Sequence, residues 1–180
     1  RESATIGGNI VNASPAGDGL PPLLALNAVV ELAARRDGVI ERRRMALADF
    51  VKGPGRTELR PDDILVAIEA DALPGHGGAF EKVGHRRSLV ISVACVAAVV
   101  RLDATRRVFE DVRIGIGGVG PAAIRYPEAE RLLRGKPITA ACIEQAAETA
   151  GTLVQSRSRQ AYRRGVLEGF VVRALLEAAK

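Results

Sequence analysis

Apolar and polar positions predict strands in the first two thirds of the chain and helices in the last third. VVELAARRDGVIERRRMAL places Asp37-Gly38 between two arms suited to a sheet. That dipeptide accepts the φ values of a tight primed turn, so a hairpin is predicted with strands near 29–35 and 39–45. The arginines of the second arm mark a solvated face. Asp49 is placed to cap one helical turn, DFVKG, ended by Gly53 and Pro54, and GPGRTELRPDD reads as loop. In ILVAIEA, Ile64, Val66 and Ile68 share one face and Leu65 and Ala67 the other. Both faces are apolar, which predicts a central strand. LPGHGG follows as a loop.

AFEKVGHRR predicts a strand that leaves Phe80 and Val83 to pack. Ser88 to Leu102 predicts a long strand from its density of β-branched residues, with a helix as the lesser alternative. Asp103 to Arg106 is a turn, and Val108 to Ile116 a further strand ended by GGVGP. Pro127 opens a helix that Gly135 stops. Thr139 caps a second, with Ile143, Ala146, Ala147 and Ala150 on one face. Ser158 is placed to cap a last helix with a stripe of Leu167, Phe170, Val171, Ala174, Leu175 and Ala178. The order gives an α+β fold, a sheet with helices on one face. A boundary is predicted at the Pro- and Gly-containing stretch 72–78.

Before the hairpin lies ATIGGNIVNASPAGDGLPPLLALNA, from Ala4 to Ala28. Gly7 and Gly8, then Asn9, Asn12, Ser14, Pro15, Gly17 and Asp18, predict a glycine-bent loop. Glycine permits positive φ and close approach of backbone to a ligand. Freed N–H groups can point at an anion or at the polar edge of a ring, and Asn and Asp side chains stabilise turns or bind the ligand themselves. Pro21 then opens a short helix through about Ala28. On composition alone the same stretch is a surface loop entering a helix.

At 180 residues the chain has room for one large core or two small ones. Aromatic residues are only 3%, so alanine, leucine and valine must build those cores. The net charge of +5 is split among Arg42–Arg44, Arg86–Arg87, Arg106–Arg107 and Arg163–Arg164 with few aromatics between them, which argues against a nucleic-acid interface. Cys95 and Cys142 lie apart in apolar runs, as buried reduced thiols of a cytosolic protein would. Two cysteines build neither a zinc site nor an iron–sulfur cluster. No signal peptide is apparent and no apolar run is long enough to span a bilayer. The abrupt start at Arg1-Glu2-Ser3 reads as a fragment or a processed piece.

Gly115-Ile116-Gly117-Gly118-Val119-Gly120 fits GxGxxG behind a strand. A dinucleotide site would also need a helix opening at once and an acidic residue about 20 positions on, at a strand end. Here Pro121 follows and TAACIEQAA is helical, so the segment reads as a strand-end turn. His76 sits in a glycine loop and is expected to be exposed, and His85 lies beside Arg86 and Arg87. Lys82, alone, is a solvated strand lysine.

The order TIGGNIVNASPAGD, PPLLALNA, GPGRTELRPDDILVAIE, AFEKVGHRRSLVISVACVAAVV, GGVGPAAIRYPEAERLLRGKPIT and AYRRGVLEGFVVRALLEA resembles the FAD-carrying medium subunits of the molybdenum hydroxylases, of xanthine dehydrogenase and carbon monoxide dehydrogenase type. GPGRTEL gives the xanthine dehydrogenase branch the nearer likeness. The resemblance implies the second FAD-binding subdomain of the PCMH-type flavoprotein fold over 1–74, then a C-terminal flavoprotein domain over 75–180 with helices on one face of an antiparallel sheet. It implies FAD as cofactor, held by Ala4, Thr5, Gly7, Gly8, Asn9, Val11, Asn12, Gly17 and Asp18, with Ile64 and Leu65 near the isoalloxazine. A lysine that steadies reduced flavin falls at Lys82, with Glu81 beside it. It implies partners: an iron–sulfur small subunit that delivers electrons, a molybdenum-cofactor large subunit that hydroxylates substrate, and NAD or another acceptor. The family's first FAD segment, an AGGTDL-like loop, has no counterpart between Arg1 and Lys180. Half of the cradle is therefore missing from this sequence, either supplied by another chain or lost, and the rival expectation is a non-catalytic scaffold that docks to partner subunits without FAD.

Overall fold

The computed structural model describes residues 5–84, 91–155 and 159–180. Ala4, His85, Arg86, Arg87, the predicted strand start at 88–90 and the predicted cap Ser158 lie outside the described residues.

The expected glycine-bent loop begins instead as a helix, α1 (Ile6–Asn12). Thr5 caps it, its hydroxyl accepting from the Gly8 N–H at 3.0 Å, and Ala13 ends it in the left-handed region at φ 45°. Neither Gly7 nor Gly8 has positive φ. Each glycine costs a helix about 1 kcal/mol relative to alanine, which the cap and the complete burial of Ile10 offset. α2 (Leu20–Ala25) carries proline in its first turn, where an N–H is not needed, and stops three residues short of Ala28.

β1 (Val29–Arg36) and β2 (Val39–Ala46) form the expected hairpin. Asp37 and Gly38 turn at φ 49° and 82°. α3 (Leu47–Phe50) follows Ala46, so Asp49 lies within its turn and does not cap it. Burial of Leu47 and Phe50 decides where that turn forms. The stretch read as loop holds a small ribbon, β3 (Val51–Gly53) with β4 (Arg56–Thr57). β5 (Ile64–Glu69) is an edge strand and not a central one, because the sheet runs β2-β1-β5. Its inner residues Leu65 and Ile68 pack toward Val30, Leu32, Leu47 and Phe50. Its outer residues stay on the surface, Ile64 at 68% exposure.

The second half is a four-stranded antiparallel sheet of β6 (Gly77–Gly84), β7 (Ser92–Leu102), β8 (Phe109–Gly117) and β9 (Ile124–Arg125), in that order. α4 (Pro127–Leu133), α5 (Ala140–Ala150) and α6 (Gln160–Ala178) cover one face. Ile143, Ala146, Ala147 and Ala150 form the buried side of α5 behind the Thr139 cap, as their spacing predicts. On α6 the buried stripe is Leu167, Val171, Ala174, Leu175 and Ala178, and Phe170 is only partly buried. The residue ahead of α6 is Arg159, at φ 51°.

The other face of this sheet receives α2 from the first half. The supposed strand-end glycines make that contact. Gly115 and Gly117 lie within β8 on the α2 side, while Ile114 and Ile116 alternate into the core beneath the helices. A Cβ on Gly115 would meet the Pro21 carbonyl oxygen at 2.0 Å, and one on Gly117 would meet Pro21 Cγ at 3.0 Å. Two glycines at strand period thus form a flat strip on which a backbone can rest.

Ion pairs fasten the same junction. Arg113 Nη1 donates to Asp71 at 2.6 Å and its Nε to Asp111 at 3.0 Å. Asn27 donates to Asp71 at 2.8 Å, and Arg125 bridges Asn27 and Glu130. His76, expected in the open, is closed in: its side chain is 5% exposed and its Nε2 lies 3.3 Å from Asp111. Burial opposes ionisation of Asp111, but donation by Arg113, His76 and Arg134 outweighs it and brings the pKa down to about 2.

Gly115→Ala is expected to lower the unfolding free energy by about 2–4 kcal/mol, because overpacking here presses on backbone and not on a movable side chain. Denaturant titration checks it. A carboxyl whose pKa is depressed in the folded state contributes stability above its ordinary value and loses it as pH falls through the folded value. The Asp111 contribution is therefore expected to vanish between its ordinary 3.8 and about 2. Asp111→Asn should be the less stable protein at pH 7, with the two stability curves converging toward pH 2.

Candidate functional site

α2 is the arm that carries the loop before it across to the second sheet. Asn9 shapes that loop: its Oδ1 accepts from the Gly19 N–H at 3.2 Å. Side chains at Gly17 or Gly19 would collide with it, since a Cβ at Gly19 would come within 2.8 Å of the same oxygen. The Gly17 N–H donates to the Ser14 carbonyl at 2.9 Å, and the Gly118 N–H donates to the Pro15 carbonyl at 2.7 Å. Loop and second sheet are thus joined backbone to backbone, with Asp18 between the two constrained glycines.

Asp18 reaches across the junction. One carboxylate oxygen accepts from Lys82 Nζ on β6. The other accepts from the Ser92 hydroxyl, at the head of β7, at 2.5 Å. Glu81 faces the opposite way and pairs with Arg173 of α6 at 3.1 Å. Of the two neighbours, it is therefore Lys82 that looks toward the loop. Lys82 and Asp18 are each about one third exposed, so the pair is open to a ligand, while Ser92 is 5% exposed. Below them, Cys95 is paired in register with Lys82 on one side and Gly117 on the other. Burial, followed by the Asp18 charge, pushes the Cys95 thiol up to about 12.

The remaining expected residues lie on the first half. A Cβ on Gly7 would sit 3.7 Å from Leu65 Cδ2, so α1 and β5 bring Gly7 and Leu65 side by side. Thr5 and Gly8 are exposed at the first turn of α1, where Ile6 and Gly7 have no acceptor for their N–H groups within the helix. Ile64 faces outward and Asn12 is exposed. Val11 packs against the first core, which leaves its side chain turned away from the surface. Ser92 was missed in the sequence. Its one signal is a hydroxyl inside an apolar strand run, since a buried polar group needs a partner.

An open apolar groove of about 350 Å³ runs between α2 and the β6–β7 edge, lined by Pro22, Leu26, Gly78, Phe80, Ala97 and Val99 among others. Phe80 is two residues from Lys82 along β6, so the two side chains leave the same face of the sheet. Helix-terminal N–H groups, a glycine cradle closed to side chains, a cation and flanking apolar surface suit a flat ring carrying an anionic tail. FAD has that chemistry, and these residues fit it.

Residues 1–70 match the family described as FAD binding domain in molybdopterin dehydrogenase. Residues 79–178 match the family described as CO dehydrogenase flavoprotein C-terminal domain. The chain is 30% identical over 183 residues to the glyceraldehyde dehydrogenase medium chain of Sulfolobus acidocaldarius, covering 99% of this chain and 63% of that one. It is 33% identical to a putative xanthine dehydrogenase FAD-binding subunit of Escherichia coli, covering 88% and 53%. Among solved structures, carbon monoxide dehydrogenase from Hydrogenophaga pseudoflava aligns with a TM-score of 0.88 at 27% identity, covering 99% of this chain and 61% of that one. The chain thus spans about three fifths of the length of relatives such as the glyceraldehyde dehydrogenase medium chain.

The buried thiol yields a direct check of the geometry beneath the ion pair. Cys95 should resist alkylation at pH 8 in the folded protein and react fully in denaturant, while the partly exposed Cys142 should be modified first. Peptide mapping by mass spectrometry reads both.

Proposed function

The chain belongs to the FAD-binding flavoproteins of the molybdenum hydroxylases, and from that premise we propose that it forms the second FAD subdomain and the C-terminal domain of an electron-transfer subunit. The proposed division falls between residues 74 and 75. Electrons would arrive from an iron–sulfur small subunit, having entered at a molybdenum-cofactor large subunit, and leave to NAD or another acceptor. Bound FAD supplies the redox chemistry, taking up electrons and passing them on.

The observation that carries this reading is the Asp18–Lys82 pair. It joins the loop of the first half to the sheet of the second and brings cradle and cation together. Thr5, Gly7, Gly8 and Asn9 would hold the phosphates and ribitol. Part of that work is indirect: Asn9 shapes the loop through Gly19, and Gly17 leaves room for it. Ile64 and Leu65 would flank the ring system. Lys82 would set a positive charge beside the flavin, with Asp18 fixing its direction. The outward Ile6, Ile64 and Val66 suit contact with cofactor or with a neighbouring protein surface.

The test is flavin retention. The complete FAD-carrying protein, incubated with FAD and freed of excess by gel filtration, should keep oxidised flavin absorbance. Asp18→Ala and Lys82→Met should each weaken FAD binding about ten-fold or more, the scale of one charge-assisted contact, with circular dichroism unchanged. Asn9→Ala should lose flavin and loop order together, since its amide serves the loop. Full flavin retention by both Asp18→Ala and Lys82→Met would contradict the proposal.

A further inference from the structure

We infer that Ser92 is the positioning residue of the Asp18–Lys82 pair, holding Asp18 so that the Lys82 ammonium stays available to the flavin. The inference rests on the FAD reading above and adds a residue to it.

The hydroxyl of Ser92 is buried and lies 2.5 Å from Asp18 Oδ1, as a charge-assisted donor. Its backbone is gripped from two directions. Gly118 lies against it at φ 81°, and a side chain there would come within 3.2 Å of the Ser92 carbonyl oxygen and 3.1 Å of that of Val93. Arg163 of α6 donates through one nitrogen to the carbonyl of Val93 at 2.6 Å and to that of Gly118 at 2.7 Å. Gly118 also donates to Pro15, three residues before Asp18. One glycine therefore registers both ends of the Ser92–Asp18 hydrogen bond.

The count of donors and acceptors explains what this achieves. Ser92 donates to one Asp18 carboxylate oxygen and Lys82 to the other, so the hydroxyl fixes how the carboxylate is turned. An ammonium has three N–H donors, and among the described residues Asp18 takes one of them, which suits Lys82 to a further acceptor on a ligand. Without the Ser92 hydroxyl, the freed oxygen is able to turn toward Lys82, which already holds the other one. The carboxylate would turn both oxygens onto the ammonium, neutralise it further and draw it away from the flavin. GxGxxG, which failed as a dinucleotide motif, thus contributes Gly118 to this site by a different route.

The test compares wild type, Ser92→Ala, Ser92→Thr, Lys82→Met and the S92A/K82M double variant in the complete FAD-carrying protein. Each is read by FAD titration, thermal unfolding and the flavin midpoint potential. Ser92→Ala should weaken FAD about ten-fold and lower the potential. Ser92→Thr, which keeps a hydroxyl, should return both toward wild type. In the Lys82→Met background, Ser92→Ala should change neither, because its effect passes through Lys82. Equal losses in both backgrounds would make Ser92 merely structural and overturn the inference. So would wild-type affinity and potential in Ser92→Ala. Failure of the wild type itself to take up FAD would overturn the functional reading as well, and is distinct from a flavin-bound wild type matched by S92A.

Discussion

The contact between α2 and the second sheet is the constraint on which the site depends. Pro21 rests its backbone on Gly115 and its ring against Gly117, a distance that no side chain on β8 would permit. Asp18 lies three residues before Pro21, so the seating of α2 sets where Asp18 arrives. From there the geometry follows: Gly118 accepts the loop beside Pro15, Ser92 takes one carboxylate oxygen, and Lys82 takes the other. Had β8 carried ordinary side chains, the helix would stand off and the carboxylate would miss both partners.

Polar contacts across the junction supply direction more than adhesion. Ion pairs near a surface contribute little to stability, and buried ones lose much of their attraction to desolvation. Their geometry is selective, however. Arg113 needs both Asp71 and Asp111, and Arg125 needs both Asn27 and Glu130, so only one relative placement of the halves satisfies the set. Adhesion comes from burial: the two apolar cores, and α2 covering the glycine strip. The Asp18–Lys82 pair differs from the structural pairs in being partly open, as a ligand site must be.

Elements with their own local cause were legible in the sequence. Asp37-Gly38 fixes its hairpin by turn chemistry, and Thr139 with the alanine stripe fixes α5, because both causes lie within a few residues. Features that depend on distant neighbours were not. Gly7 and Gly8 look like a loop until Ile10 is seen buried, and α1 forms because that burial and Thr5 outweigh the glycines. ILVAIEA is apolar on both faces, but nothing local says that only β1 pairs with it. Gly115 and Gly117 look like punctuation until Pro21 is laid over them. His76 sits in a glycine-rich segment, and the carboxylate its Nε2 faces, Asp111, is 35 residues away. At the site, the resemblance pointed to Asp18 and Lys82, while the alternation along β6 separates Lys82 from Glu81. Ser92 could not be read as part of the site, since the carboxylate it donates to, Asp18, is 74 residues distant.

The most direct measurement is a structure of the complete protein determined with FAD bound. The flavin should lie beside Lys82, with its phosphates along Thr5 to Asn9 and the Ser92–Asp18 hydrogen bond in place. Flavin seated elsewhere, with Lys82 still closed on Asp18 and turned from the ring, would contradict it.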